Sequence, residues 1–128
     1  MARTYNPASG ANYSASVGKV VYKTGTNTVT LATDIDGHKP CGVIIGAVNA
    51  TDGPVSVSDI GEKCFAVIDS TATILATTTF VCLGANSGVV EETSASYVVG
   101  HVCEPNPASP RTTGFLEIIF APELNPAP

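Results

Sequence analysis

The chain has 128 residues, of which 44% are hydrophobic and 13% are charged, and its formal net charge is −5. This length fits one domain, and its core must be built from Val, Ile, Leu and Ala, because aromatic residues make up only 6% and Trp is absent. We expect neither nucleic acid nor a membrane as a partner, since only six residues are basic and no apolar stretch approaches the roughly 18 residues that span a bilayer.

The first seventeen residues are mostly small and polar, and they follow neither the period of a helix nor that of a strand. Such a segment buries too little apolar surface to become ordered by itself, so residues 1–17 are predicted to form an extended N-terminal arm. The arm would be either a frayed terminus or a segment that becomes ordered on a partner. In the second case the contacts would come from Arg3, Tyr5, Asn6, Pro7 and Tyr13, with the two tyrosine rings as anchors.

Short runs rich in Val, Ile and Thr, each closed by turn residues, follow from residue 18 onward. The runs 19–23 and 28–33 flank a Thr-Gly-Thr-Asn loop and predict a β-hairpin. Further strands are predicted at 42–48, 55–57, 62–69, 80–83, 89–90, 97–103 and 114–121. The Thr- and Ala-rich segment 70–79 fits either a loop or one helical turn. Because no segment carries a helical period, we expect an all-β fold over 18–128, a small β-barrel or β-sandwich.

Two of the predicted strands are apolar on both faces. Alternation places Cys64, Ala66 and Ile68 opposite Phe65 and Val67, and it places Leu116, Ile118 and Phe120 opposite Phe115, Glu117 and Ile119. In a domain of this size one face would fill the core, which leaves the other available to a neighbouring subunit.

Proline is concentrated in two segments, the loop 104–113 and the C-terminal tail 122–128. Because proline restricts the backbone before any contact forms, such a loop is either a stiff surface loop or a pre-organised contact surface. In the second case Pro105, Pro107, Pro110 and Arg111 would contact a partner.

The sequence lacks the common motifs of catalysis and of phosphate binding. There is no G-x-S-x-G elbow, no phosphate-binding glycine loop and no paired carboxylates, so we expect no enzyme activity and no cofactor. His38 with Cys41 and His101 with Cys103 offer two nitrogens and two sulfurs, but neither pair has the C-x-x-C spacing of a zinc site. The alternative, which we favour, is that the cysteines are free, small core residues in a protein made in a reducing cytoplasm. The first residues of the chain fit the expected synthesis in the cytoplasm, since they lack the apolar region of a signal peptide.

Several stretches from Cys41 onward resemble the small capsid cement (head decoration) proteins of tailed phages. These stretches are 42–48 (GVIIGAV) with 55–57 (VSV), 61–67 (GEKCFAV), and 80–90 (FVCLGANSGVV) with 97–103 (YVVGHVC), which lead into 114–121. In the family the third stretch is a strand, a glycine turn and a strand, followed by a further strand and a final β-run. The motifs are patterns of Val, Gly and Ala.

The resemblance implies a compact, β-tulip-like β-domain with an extended N-terminal arm that assembles as a homotrimer. It also implies that the trimer sits on the outer capsid surface of the virion, after synthesis in the host cytoplasm, and clamps neighbouring subunits of the major capsid protein. One alternative is a tail- or fibre-associated β-module with a carbohydrate- or protein-binding surface. The absence of Trp and the presence of only four Tyr count against a sugar site. A small hydrolase, the other alternative, lacks a nucleophile motif.

Overall fold

The computed structural model describes residues 3–33, 38–69, 74, 78–84, 88–91, 97–103 and 114–124. In these residues the chain forms ten β-strands and no helix, which confirms the all-β prediction. The strands are β1 (Arg3–Pro7), β2 (Val20–Lys23), β3 (Thr28–Leu31), β4 (Gly42–Ala47), β5 (Val55–Val57), β6 (Lys63–Val67), β7 (Phe80–Leu83), β8 (Val90–Glu91), β9 (Tyr97–Val102) and β10 (Phe115–Leu124). No helix in this part of the chain is long and apolar enough to cross a membrane.

The strands form two sheets that follow one another along the chain. The first five make a closed barrel in the order β1-β3-β2-β4-β5, and the last five make a sheet in the order β6-β10-β9-β7-β8. The predicted hairpin is β2 and β3, with Tyr22 opposite Thr30. A long terminal strand, β10, lies between β6 and β9 and pairs antiparallel with both.

The N-terminal segment differs from the predicted extended arm, because the described residues 3–17 belong to the barrel. Strand β1 pairs parallel with β3 and antiparallel with β5, and this pairing closes the barrel. Tyr5 and Tyr13 are only 7% and 8% exposed and lie in the barrel core. Asp52 fastens the loop after β1, since its carboxylate accepts the Gly10 N–H at 2.7 Å and its own N–H donates to the Ala11 carbonyl.

The reason for this difference lies in backbone pairing. A strand gains its hydrogen bonds from its neighbours, and closing a barrel removes the two unpaired edges of a sheet. A polar segment such as Arg3–Pro7 therefore becomes a strand when partners lie on both sides, although its own sequence shows little strand pattern.

Two large hydrophobic clusters and a small one, Cys82 with Val98, form the core of the described residues. Of the two large clusters, the smaller lies inside the barrel around Tyr5, Tyr13 and Ile44, and the larger joins the barrel residues Val20 and Val43 to the second sheet. On the barrel side of this larger cluster, a buried serine links β4 to the end of β5. The Val43 N–H donates to the Ser58 hydroxyl at 3.0 Å, and the Ser58 N–H donates to the Val43 carbonyl at 2.9 Å. The two sheets therefore share one continuous interior.

The predicted alternation of β6 and β10 is confirmed. One face of each strand is almost fully buried, and it consists of Cys64, Ala66, Leu116, Ile118 and Phe120 together with the adjoining Ile68. On the opposite face Phe65 and Phe115 are 55% and 52% exposed. Direct pairing of Phe65 with Glu117 and of Val67 with Phe115 fixes this register.

The C-terminal segment also differs in part from the prediction. Strand β10 continues through Pro122 to Leu124, so the first residues of the predicted tail 122–128 are β-structure. An irregular register between Phe120 and Glu123 in the pairing with β9 accommodates Pro122, which has no N–H to donate. Residues 125–128 and the predicted contact loop 104–113 lie outside the described residues.

Candidate functional site

An aromatic surface covers the outward side of the second sheet. Directly paired residues of antiparallel strands share a face, so one set of side chains points away from the core. The set, which we call the phenylalanine face, consists of Lys63, Phe65 and Val67 of β6, Phe115, Glu117 and Ile119 of β10, His101 of β9 and Phe80 of β7.

The phenylalanine face holds three of the four phenylalanines of the chain. Phe65, Phe80 and Phe115 are 55%, 38% and 52% exposed, whereas Phe120 is fully buried. Large apolar side chains grouped on a surface are typical of sites where another protein binds. Charged groups flank them, as in the polar rim of an interface, and His101 Nε2 lies 3.9 Å from the Glu123 carboxylate.

A second candidate site is an open pocket of about 500 Å³ where the barrel meets the end of β10. We call it the basic pocket. It is lined by residues from β1, β2, the segment before β4, the turn after β5 and β10, namely Arg3, Tyr5, Tyr22, Lys23, Lys39, Pro40, Cys41, Asp59, Ile60, Phe120 and Pro122. Its lining includes three of the six basic residues of the chain and one acidic residue, so the pocket is locally positive in an acidic protein.

Arg3 and Asp59 form the charged rim of the basic pocket. Arg3 Nε lies 3.5 Å from Asp59 Oδ2, and both side chains remain solvated. The pKa of Asp59 is lowered first by the Ile60 N–H, which donates to Oδ1 at 2.9 Å, and further by Arg3. The pKa of Arg3 is raised by a hydrogen bond with Tyr5 and by the Asp59 charge. This pair therefore stays ionised, and it holds the guanidinium at the entrance.

Aromatic rings position the other cations of the pocket. Lys23 Nζ lies 5.8 Å from the centroid of the Tyr5 ring, within the range of a cation–π contact. Tyr22 stacks on His38 with the centroids 3.7 Å apart and an interplanar angle of 14°. His38 Nδ1 accepts the Thr33 N–H at 3.2 Å, which anchors the segment that carries Lys39.

The predicted arm residues divide between this pocket and the interior. Arg3 and Tyr5 line the basic pocket, and Asn6 is exposed on β1. Pro7 and Tyr13 are buried, so they support the barrel in this conformation instead of presenting contact surface. The predicted loop contacts Pro105, Pro107, Pro110 and Arg111 fall outside the described residues.

The four cysteines all lie within the described residues, and none is in a disulfide. Burial raises the pKa of Cys41 and of Cys64 to about 11. These thiols are therefore protonated at neutral pH, a state that disfavours nucleophilic attack. Across the described part of the chain, no three His, Cys, Asp or Glu residues form a group that could hold a metal ion.

The histidine–cysteine pairs also lie in different settings. His38 is stacked on Tyr22, and Cys41 lines the basic pocket. His101 points outward on the phenylalanine face, where its partner is Glu123.

No protein-family model matches the chain, and no curated protein sequence is significantly similar to it.

Sequence reasoning predicted the apolar second face but not the basic pocket. Its lining comes from five separate segments, and only three of its residues were candidates beforehand, Arg3 and Tyr5 as partner contacts and Cys41 as a possible metal ligand. Lys23 and Lys39 lie sixteen positions apart in the sequence, with no periodic pattern that relates them. A local cation cluster of this kind arises only when the barrel closes.

Proposed function

We propose that this protein is a capsid decoration (cement) protein of a tailed phage. As a homotrimer it binds the outer surface of the expanded capsid and clamps neighbouring subunits of the major capsid protein. The observation that carries the proposal is the phenylalanine face, because a small domain that exposes three large aromatic side chains on one sheet is suited to bind protein. The resemblance of the Val-, Gly- and Ala-rich stretches to the cement family supplies the identity of the partner.

The phenylalanine face serves as the self-association surface in this proposal. Phe65 and Phe115 lie on the neighbouring strands β6 and β10, Phe80 lies beyond β9 on β7, and Lys63 and Glu117 supply opposite charges that a second copy can pair. Self-association would remove the rings from water, which is favourable in proportion to the apolar area covered.

Capsid stabilisation follows from mass action. A protein that binds the assembled shell but not its free subunits shifts the equilibrium towards the shell. Three copies held together also convert weak single contacts into a strong combined attachment. The net charge of −5 suits an outer surface, since an acidic protein is repelled by packaged DNA.

The capsid contacts in this proposal come from the exposed part of β1 and from the Pro-rich loop. Arg3 and Asn6 are exposed there, and the loop contributes Pro105, Pro107 and Pro110 with Arg111. The alternative of a carbohydrate-binding tail or fibre module is less well supported. Phenylalanine rings carry no polar group, so the phenylalanine face has few donors and acceptors for sugar hydroxyls.

The test uses expanded, undecorated capsids of the phage that encodes the protein. Purified protein is mixed with these capsids, and co-sedimentation and the melting temperature of the capsid are measured. We expect saturable co-sedimentation and a higher melting temperature. Absence of both effects would refute the cement function, and unexpanded capsids provide the control for selectivity.

A further inference from the structure

The basic pocket combines three features that together indicate a ligand. Its volume of about 500 Å³ is typical of sites that take a small molecule or a few side chains. Lys23 and Lys39 are exposed at its wall, and among the described lining residues Asp59 is the one acid beside the three cations. Ile60 is 70% exposed, the highest value among the large hydrophobic residues described.

From this combination we infer that the basic pocket binds an acidic peptide segment of the partner protein, with an aspartate or glutamate carboxylate next to a large apolar side chain. The carboxylate pairs with Lys23 and Lys39 at the wall of the pocket. The apolar side chain covers Ile60 and packs against the rings that line the floor. The inference deepens the proposed function and rests on it only for the identity of the partner.

Charge complementarity favours a carboxylate peptide over other anions. Nucleic acid needs a continuous row of cations to follow its phosphates, whereas this pocket offers a short cluster within a protein of net charge −5. Asp59 at the rim would repel a dianionic phosphate placed close to Arg3. A peptide places one monoanionic group on the lysines and keeps its backbone and apolar side chain near Ile60.

The existing contacts keep the pocket ready to accept this ligand. Arg3 is held by Asp59 and Lys23 by the Tyr5 ring, so both cations are oriented before the ligand arrives. The stacked Tyr22 and His38 pair holds the wall segment in place. Groups that are oriented in advance lose less entropy on binding.

The test uses three capped hexapeptides with the same apolar residues. The acidic probe is Ala-Asp-Leu-Glu-Phe-Ala, the neutral probe replaces its acids with Asn and Gln, and the basic probe replaces them with Lys and Arg. Binding to the full-length protein is measured by isothermal titration calorimetry and by amide chemical shifts in NMR spectra. We expect the acidic probe to bind about 2- to 30-fold more tightly than the neutral one, from two solvent-exposed charge pairs. Its shifts should centre on Tyr5, Lys23 and Lys39.

Two single variants separate the pocket from general charge. Lys23→Gln should remove most of the preference for the acidic probe, whereas Lys19→Gln, which makes the same change outside both the basic pocket and the phenylalanine face, should leave it intact. Ile60→Ser should weaken both the acidic and the neutral probe. Equal affinity for the acidic and neutral probes would overturn the inference. It would also be overturned if inorganic phosphate or a DNA oligonucleotide bound more tightly than the acidic probe and shifted the same amide signals.

The result of the peptide-binding experiment is independent of the result of the capsid assay. A protein that binds capsids but shows no preference for the acidic probe refutes the pocket inference and leaves the cement function standing. A protein that prefers the acidic probe but ignores capsids refutes the cement function and leaves the pocket inference standing.

Discussion

Replacing Phe65 with serine should weaken self-association while the domain stays folded. Phe65 is 55% exposed, and a phenylalanine side chain offers on the order of 200 Å² of surface, so about 100 Å² is available to be covered. At about 25 cal/mol per Å², covering that area contributes about 2.5 kcal/mol for each ring. Because every copy carries the substitution, the association constant should fall about 60-fold for each ring that the assembly covers, and loss of Phe115, which is 52% exposed, should have a similar effect.

The same substitution should change the free energy of unfolding by less than about 1 kcal/mol, because the ring lies on the outward side of β6. Sedimentation velocity over a range of protein concentrations measures assembly, and urea unfolding followed by circular dichroism measures stability. Val48→Ser is the matched control, since Val48 is 53% exposed but lies outside the phenylalanine face. It should leave both properties unchanged.

Two results would refute this reasoning. If the double variant Phe65→Ser with Phe115→Ser assembles at the same concentrations as the natural chain, the phenylalanine face is not the self-association surface. If Val48→Ser dissociates the protein as strongly, the effect comes from surface hydrophobicity in general.

Three further substitutions test the fold itself. Ile118→Ala should lower the free energy of unfolding by about 2–5 kcal/mol in a urea titration, because Ile118 is fully buried, and a loss below about 1 kcal/mol would contradict its place in the core. Gly100→Ala should destabilise by about 1–3 kcal/mol, because the added Cβ would overlap a carbonyl oxygen of β10. The control Gly46→Ala meets nothing within 4 Å and should be neutral, so equal losses in the two would count against the β9–β10 packing. Glu62→Gln should flatten the acid dependence of stability. The Asp59 N–H donates to the Glu62 carboxylate at 2.6 Å and lowers its pKa, so this stabilisation is present above the ordinary carboxyl pKa of about 4.3 and is lost as the pH falls through the lower folded value. Thermal melts of both proteins between about pH 3 and pH 7 measure this, and identical acid slopes would contradict it.

The strand pattern was predictable because it depends on local chemistry. Alternation in β6 and β10 separated the buried Ile118 from the exposed Phe65, since each side chain of a strand points to the side opposite its neighbour. Turn residues bounded the strands for a similar local reason, as in the loop between β2 and β3.

The N-terminal strand was not predictable in this way. Arg3–Pro7 has little apolar pattern, and its strand conformation comes from pairing with β3 and β5, which lie more than twenty and fifty positions further along the chain. Tyr5 shows the consequence. As an isolated ring in a polar segment it suggested an anchor for a partner, but closure of the barrel buries it.

The sequence by itself determined the all-β class, the positions of most strands and the presence of a second apolar face, because these follow from the period and composition of neighbouring residues. Only the tertiary structure decided that the chain divides into a closed barrel and a second sheet, that β1 completes the barrel, and that Arg3, Lys23 and Lys39 meet in one pocket. The physical reason is that long-range pairing and the convergence of charges depend on which strands become neighbours, and no local pattern carries that information.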